Sequence, residues 1–221
     1  IGPEIPEATM SRSTFATIDR SALKHNLARV RERADGARVM AVVKADAYGH
    51  GLERCLPALL GADMLAVATM DEARAIRGLS PDVPVLLLEG VMSIDEIRAA
   101  RALGLEMVVH HPAQLDWLAR EAGPPGRRVW LKIDSGMHRL GFPLSQAAAV
   151  DTRLRRLPGV EEVVLMTHFA CADRAEHPLN ARQIERFDRA TAELAGPRCM
   201  ANSAALLNLP ATRRDWVRTG L

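Results

Sequence analysis

The stretch "VMAVVKADAYGHG", residues 39–51, decides the fold and raises the question of function. Its first half is a near-continuous apolar run, which is typical of a parallel strand that is buried on both faces. The run ends at Lys44, and an acid, a tyrosine and glycines follow it. Because an ammonium group is costly to bury without a partner, we expect Lys44 to stand at the tip of the strand, where some ligand needs an amine.

The same alternation of a short apolar run and a longer stretch with helical spacing continues along the chain. About eight such alternations over 221 residues favour an α/β fold, a (β/α)₈ barrel of the TIM type, over an open doubly wound sheet. After the eighth run the sequence ends without the helix that normally closes such a barrel, so we expect a barrel cut at the end of strand eight. The apolar runs are RVMAVVK, MLAVAT, VPVLLLEG, LEMVVHH, RVWLKID, VEEVVLMTHF, RCMAN and DWVRTG.

The domain organisation follows from the ends of this pattern. The first ten residues, IGPEIPEATM, carry proline and glutamate and lack the apolar stretch of a secretory signal. We therefore predict a flexible N-terminal extension over residues 1–12 and a single barrel domain over residues 13–221. The first helix is expected from about Ser21.

Composition excludes several classes of function. The formal net charge is only +2 and both signs are mixed along the chain, which gives no electrostatic reason to expect nucleic acid or membrane as a partner. The apolar runs are of strand length, too short to span a bilayer. The three cysteines, Cys55, Cys171 and Cys199, form no CxxC motif and read as free thiols, so we expect a cytoplasmic protein.

Polar residues gather where the predicted strands end, and in barrels of this kind chemistry occurs at the C-terminal ends of the strands. Several of these residue types are costly to bury without a function. Their joint position at one rim is therefore the signal that matters. The residues are Lys44, Glu89, His110, Lys132, Asp134, Arg139, His168, Asn202, Ser203, Arg218 and Gly220.

Four of these residues suggest a particular ligand chemistry. A lysine at the mouth of an apolar barrel can form an imine with an aldehyde, although a solvated rim lysine is the alternative. Ser203 opens a helix whose free N–H groups can bind phosphate, and a plain N-cap serine is the alternative there. Arg218 and Gly220 follow strand eight, near the usual phosphate corner of the barrel. Together they suggest pyridoxal 5′-phosphate (PLP).

His168 allows two interpretations. Together with Cys171 and Asp173 it could ligate a metal, but neither the count nor the spacing matches a closed zinc site, so no metal is expected. A histidine bonded to or stacked on a planar ligand is favoured, with a core histidine as the plain alternative.

Several motifs in register then point to one family. "AVVKADAYGHG" closely resembles the cofactor-lysine signature of bacterial alanine racemases, which are fold-type III PLP enzymes. The resemblance continues with "LKIDSGMHRLGF", "MTHFACAD", "ANSAAL" and "RTGL", in the family's order and at similar intervals. It covers nearly everything from about Ser13 to the end of the chain.

The resemblance implies a role for each rim residue. Lys44 would hold the cofactor as an imine and act as one of two bases. Arg139 would reach the cofactor's phenolic oxygen and the substrate, and Lys132 matches a lysine that is often carbamylated. His168 would lie near the pyridine ring and help to place Arg218. The residues implied around the cofactor and its phosphate are Tyr48, His168, Asn202, Ser203, Arg218, Gly220 and Leu221.

The resemblance also implies what this chain lacks. In the family the second base is a tyrosine from the C-terminal β-domain of the partner subunit of a homodimer. The one tyrosine here is Tyr48, which belongs to the lysine motif, and Thr219 departs mildly from the usual form of its motif. We therefore expect an alanine racemase barrel that interconverts L- and D-alanine for peptidoglycan supply but is poorly active or inactive by itself.

Other functions stay open at this point. A single-domain barrel that binds PLP and regulates its supply would also lack the β-domain. A related broad-specificity amino-acid racemase or a decarboxylase would share the fold, and a cofactor-free aldolase would share the imine lysine. The motifs around Lys44 and Arg139 favour the racemase.

Overall fold

The computed structural model describes residues 16–121, 123 and 126–220. The predicted extension over residues 1–12 and the predicted cofactor contact of Leu221 therefore lie outside the described residues. Within the described ranges, no helix combines the length and the apolar character needed to cross a membrane.

The elements alternate as the apolar runs predict. The strands are β1 (Arg38–Val42), β2 (Met64–Val67), β3 (Val85–Leu87), β4 (Glu106–Val109), β5 (Arg127–Asp134), β6 (Phe142–Pro143), β7 (Val160–Met166), β8 (Arg198–Cys199) and β9 (Trp216–Gly220). The helical segments are α1 (Arg20–Ala34), α2 (Lys44–Tyr48), α3 (Leu52–Leu59), α4 (Met70–Leu79), α5 (Ile94–Ala102), α6 (Pro112–Arg120), α7 (Ala147–Arg155), α8 (Pro178–Thr191) and α9 (Ser203–Asn208).

Eight of the strands close into a parallel barrel, which confirms the predicted fold class. The order runs β4-β3-β2-β1-β9-β8-β7-β5, and pairing of β4 with β5 closes the ring. The two-residue strand β6 adds only to the end of β5 and was not predicted. Most strands are shorter than the apolar runs, most clearly β8, because the ends of the runs form the loops that carry the rim residues.

The interior of the barrel follows the period of two that a strand imposes. In β1, Met40 and Val42 point into the barrel, whereas Val39 and Ala41 pack against the surrounding helices. The interior cluster is completely or almost completely buried, so the barrel is a filled core below its mouth. Its members are Met40, Val42, Met64, Ala66, Leu86, Val108, Trp130, Val164, Met166, Cys199 and Trp216.

Helix α1, which precedes the first strand, also belongs to the helical layer around the barrel. This helix begins at Arg20, where the Asp19 carboxylate accepts hydrogen bonds from the N–H groups of Ser21 and Ala22. It packs against β1, α3 and α9, beside the seam where β9 pairs with β1.

Candidate active site

A cavity of about 280 Å³ opens at the C-terminal ends of the barrel strands. This volume is close to the lower limit of ~300 Å³ that is usual for small-molecule sites. Its wall carries eight of the polar residues predicted at this rim, including four cationic side chains. Those eight are Lys44, Glu89, Lys132, Arg139, His168, Asn202, Ser203 and Arg218, and Tyr48 and Gly220 line the same cavity.

Strand periodicity explains why charged side chains enter an apolar barrel. Along β5 the inward positions run from Trp130 to Lys132, and along β9 they run from Trp216 to Arg218 and Gly220. Each charged residue therefore stands one layer above a tryptophan of the barrel interior. Lys132 retains 8% of its accessible surface and Arg218 retains 4%, so both cations are buried at the floor of the cavity.

Lys44 is held at the start of an unusual turn. Residues 45–48 all adopt left-handed backbone conformations, with φ between 52° and 56°. A left-handed turn costs L-residues about 1–2 kcal/mol each, so the surroundings must fix it. The N–H of Ala47 donates to the Val43 carbonyl at 2.9 Å, and Ala47 itself is completely buried. The turn brings Tyr48 back toward the cavity that Lys44 lines.

Arg218 is bound by acceptors that carry no formal charge. Its Nη1 donates to the carbonyl oxygen of Cys199 at 3.1 Å and lies 2.9 Å from the Cys199 sulfur. Its Nη2 donates to the carbonyl oxygen of Thr167 at 2.8 Å and lies 3.3 Å from Nδ1 of His168. The guanidinium is thus fixed in orientation while its positive charge stays uncompensated by these partners.

This cationic surrounding changes the protonation of two neighbours. Burial, together with the charges of Arg218, Lys132, Arg139 and Lys44, lowers the pKa of His168 to about 3. His168 is therefore neutral near pH 7, and its Nδ1 can accept a hydrogen bond from Arg218. Burial and the charges of Arg218 and Arg139 lower the pKa of Lys132 to about 8. About a tenth of Lys132 is therefore an uncharged amine at pH 7.

The predicted phosphate corner lies between α9 and the end of β9. Asn202, rather than Ser203, is the N-cap of α9, and its Oδ1 accepts from the Ala205 N–H at 2.9 Å. The Ser203 hydroxyl instead accepts from the Gly220 N–H at 2.9 Å. A Cβ atom on Gly220 would lie 2.7 Å from the Tyr48 hydroxyl, so the tyrosine can approach this closely only because the position is glycine.

The remaining predicted rim residues have other positions. His110 is not among the residues that line the cavity; its Nε2 lies 2.9 Å from the Glu89 carbonyl oxygen and links two loops. The Asp134 carboxylate accepts hydrogen bonds from the N–H groups of residues 136–138 and so shapes the loop after β5. Arg139 lines the cavity but is exposed to solvent.

Sequence reasoning missed a buried network behind the floor of the cavity. The Ser135 and Thr167 hydroxyls lie 2.8 Å apart, and the Gln183 amide donates to Ser135 at 3.1 Å and to the His168 carbonyl at 2.9 Å. Gln183 is fully buried in α8, one turn before the buried Phe187. A polar residue on the apolar face of a helix was the signal that could have identified it.

The fold and this mouth define a class: a (β/α)₈-barrel protein with a cationic small-molecule site that carries a lysine at the tip of its first strand. The family model for the N-terminal domain of alanine racemase matches residues 18–221. The chain belongs to the alanine racemase family, as its motifs predicted.

Curated relatives and solved structures agree with this assignment. The chain is 47% identical over 215 residues to an alanine racemase of Thioalkalivibrio sulfidiphilus, covering 96% of this chain and 60% of that protein. It is 48% identical over 210 residues to one of Nitrosococcus oceani, covering 93% and 58%. The chain therefore spans about 60% of the length of these relatives.

Two crystal structures extend the comparison. The biosynthetic alanine racemase of Pseudomonas aeruginosa superimposes with a TM-score of 0.88 at 42% identity, over 92% of this chain and 57% of that one. The alanine racemase of Bartonella henselae, described with covalently bound pyridoxal phosphate, superimposes with a TM-score of 0.81 at 25% identity, over 92% and 60%. The N-terminal part of these enzymes therefore shares the fold of this chain.

Proposed function

We propose that this chain is the cofactor-binding barrel of a cytoplasmic, PLP-dependent alanine racemase that interconverts L- and D-alanine for cell-wall precursors. The observation that carries the proposal is the convergence of Lys44 with three further cations, Lys132, Arg139 and Arg218, on one cavity at the barrel mouth. The family assignment and the solved racemases favour this reaction over the other fold-type III functions.

The residues present fit PLP. Lys44 supplies the amine that the cofactor's aldehyde requires. The hydroxyls of Tyr48 and Ser203 and the N–H of Gly220 meet at one corner, where they would bind the phosphate. Asn202 caps the helix beside this corner, and His168 and Arg218, which contact each other and line the same cavity, would face the pyridine ring. The net positive charge of the wall suits a phosphate dianion and a substrate carboxylate.

PLP, when bound, supplies an electron-accepting ring that acidifies the α-proton of an attached amino acid. Lys44 would remove or return that proton on one face of the substrate. Arg218 would face the pyridine nitrogen as a donor, because an arginine stays protonated and its orientation is fixed by the carbonyls of Cys199 and Thr167. By donating to that nitrogen, Arg218 would keep it unprotonated, and the weaker electron demand of the ring would disfavour transamination.

Lys132 and Arg139 would form the part of the cavity that binds the substrate. The pKa of Lys132, lowered to about 8, leaves enough neutral amine to react with carbon dioxide. The resulting carbamate would exchange a buried positive charge for a negative one and orient Arg139 toward the substrate carboxylate. Intact-mass measurement with and without bicarbonate, on the wild type and on Lys132→Met, tests this modification.

The base for the second face is proposed to come from a partner subunit of a homodimer. Tyr48 is the single tyrosine of the sequence, and its hydroxyl lies beside Gly220 at the phosphate corner, so it is poorly placed for proton transfer. We expect a preparation of residues 1–221 to bind PLP but to racemise alanine slowly or not at all. Rapid turnover by these residues alone would contradict this assignment of the second base.

The central experiment is borohydride reduction of the protein mixed with PLP, followed by peptide mapping. We expect the pyridoxyl label on Lys44 and a visible absorption band before reduction. A label elsewhere, or none, would refute PLP attachment and favour a cofactor-free barrel. An amino-acid panel assayed with the longest natural form of the protein separates an alanine racemase from a broad-specificity racemase, a decarboxylase or a PLP-supply protein.

A further inference from the structure

The left-handed turn after Lys44 is bonded by a side chain from another helix. Glu72 lies in the first turn of α4, and its Oε1 accepts a hydrogen bond from the Ala45 N–H at 2.6 Å. Ala45 directly follows Lys44 and is the first residue of the four with left-handed φ. The bond therefore acts on the peptide that sets the direction in which the Lys44 side chain leaves the strand.

The same carboxylate is fixed on its other side. Oε2 of Glu72 accepts from the N–H of Ala68 at 2.8 Å and from the N–H of Thr69 at 3.1 Å. In return, the Thr69 hydroxyl accepts from the Glu72 N–H at 3.3 Å, which completes a capping box. One carboxylate thus joins the loop after β2 to the turn after β1, on the neighbouring strand.

The rest of the turn depends mostly on bonds within its own loop. The Asp46 carboxylate accepts from the Leu52 N–H at 2.7 Å, and Gly49 and Gly51 donate to carbonyls of the turn. These local bonds close the loop, and the bond from the Ala47 N–H to the Val43 carbonyl, with the burial of Ala47, anchors its base. Among the described residues, Glu72 adds the side-chain hydrogen bond that reaches the turn from another helix. Since each left-handed residue costs about 1–2 kcal/mol, a bond from a separate rigid helix is the contact best placed to keep the orientation.

We infer that Glu72 is a positioning residue for the cofactor lysine: it holds the turn that aims Lys44 into the cavity and returns Tyr48 to Gly220. The inference rests on the proposed PLP function for its ligand. The positioning of the turn itself is inferred from the hydrogen bonds of Glu72 alone, so that part of the inference applies to the ligand-free chain as well.

Glu96 provides a matched control. It is half-buried like Glu72 and holds the corresponding place in α5, where its N–H donates to the Ser93 hydroxyl at 3.2 Å. Its carboxylate accepts from the Met92 N–H at 2.7 Å, a residue of its own loop rather than of the lysine turn. Variants of Glu96 therefore remove a similar helix cap without removing the bond to Ala45. Thr69→Val is a second control, since it weakens the cap of α4 itself.

The experiment compares Glu72→Gln and Glu72→Ala with the same substitutions at Glu96 and with Thr69→Val, all in the full chain. The first readout is hydrogen exchange of the amides of residues 44–51 without cofactor. The second is the PLP dissociation constant together with the yield of pyridoxyl label on Lys44. Thermal unfolding is measured in parallel to separate positioning from loss of stability.

We expect Glu72→Ala to speed exchange of the turn and to weaken PLP binding, each about tenfold or more, as loss of a hydrogen bond to a charged group implies. Glu72→Gln keeps one acceptor oxygen and should fall between the wild type and the alanine variant. The Glu96 variants and Thr69→Val should lower the melting temperature about as much as the Glu72 variants do. Their exchange rates and PLP dissociation constants should nevertheless stay within about twofold of the wild-type values.

Equal effects of the Glu72 and Glu96 variants on the turn would overturn the inference. Loss of label in the wild type itself would instead refute the proposed function, and the exchange measurement would still decide the role of Glu72.

Discussion

The two ends of the barrel handle charge in opposite ways. At the N-terminal ends of the strands, Arg128 meets Glu106 at 3.0 Å and also pairs with Glu162. Glu106 accepts in addition from the Trp130 indole at 2.6 Å, so these three charges are paired within the protein. At the C-terminal ends, four cations and a single carboxylate, that of Glu89, are found among the described residues that line the cavity.

Aromatic packing reinforces the difference. Trp130 and Trp216 stack edge to face with their ring centroids 5.3 Å apart, and the Arg38 guanidinium lies 4.1 Å from the centre of the Trp216 ring. This arrangement closes the lower end of the barrel with a packed plug. One layer higher on the same strands, the inward positions hold Lys132 and Arg218 instead. The comparison teaches that stability is concentrated at the lower end, while the mouth keeps charge uncompensated for a ligand.

The strongest test of this division is removal of the lysine at the mouth. Lys44→Ala should abolish pyridoxyl labelling and lower any racemase rate on the order of a thousandfold or more, because no other group can replace both the attachment point and the base. The free energy of unfolding should change by less than about 0.5 kcal/mol, since the lysine is not part of the core. Peptide mapping after borohydride and denaturant titration measure the two effects, with Lys24→Ala as a surface control. A large loss of stability would show that the mouth also supports the fold.

The reverse test removes the plug. Trp130→Ala should destabilise the protein by about 3–5 kcal/mol, because it leaves a large cavity and deprives the Glu106 carboxylate of a donor. Among molecules that remain folded, affinity for PLP should change less than about threefold, since Trp130 lies a layer below the cavity. Urea unfolding and a PLP titration, each compared with Trp130→Phe, make the measurement. A loss of PLP binding free energy as large as the loss of unfolding free energy would contradict the claim that the two ends of the barrel have separate roles.

The barrel and the details of its mouth also differ in how far they could be predicted from the sequence. The alternation of apolar runs was enough to predict the barrel, and the position of Lys132 and Arg218 at the ends of predicted strands placed them at its mouth. The sequence could not identify hydrogen-bond partners that only the three-dimensional fold brings together. Cys199 and Thr167 read as ordinary strand residues, yet they are the hydrogen-bond partners of Arg218.

The loop after the first strand shows the same limit for local conformation. Alanine, aspartate and tyrosine favour right-handed or extended backbone, so nothing in "KADAY" predicts four consecutive left-handed residues. The conformation is fixed by tertiary contacts, including the Glu72 bond from α4. The T-x-x-E spacing of Thr69 and Glu72 could have indicated a helix start, but not the second bond of its carboxylate to Ala45.

Titration of Lys132 sharpens the comparison further. Its pKa is about 8 in the folded protein and 10.5 in the unfolded chain, so the folded state bears a penalty for the charged amine. The penalty is fully present below pH 8 and is relieved as the pH rises toward 10.5, since the unfolded chain holds more protons in that window. The wild type should therefore gain up to about 3 kcal/mol relative to Lys132→Met between pH 7 and 10.

Unfolding in denaturant across this range, in buffers free of bicarbonate, measures the difference. Lys24→Met is the matched variant on an exposed lysine, and it should run parallel to the wild type. Parallel curves for Lys132→Met as well would mean that the cation at the floor of the cavity is compensated, contrary to the division between the two ends.

The smallest expected effect comes from the closest contact at the mouth. Gly220→Ala adds a Cβ that would lie 2.7 Å from the hydroxyl of Tyr48 and 3.1 Å from the carbon that bears it. The half-exposed tyrosine can swing away, so the fold should survive, but the hydroxyl would then leave the phosphate corner and PLP binding should weaken about tenfold, the loss of roughly one hydrogen bond to a charged group. Tyr48→Phe alone should lose a similar amount, and Gly220→Ala combined with Tyr48→Phe should lose little more than either single change. Fully additive losses in a PLP titration of this cycle would mean that the glycine serves the cofactor independently of the tyrosine.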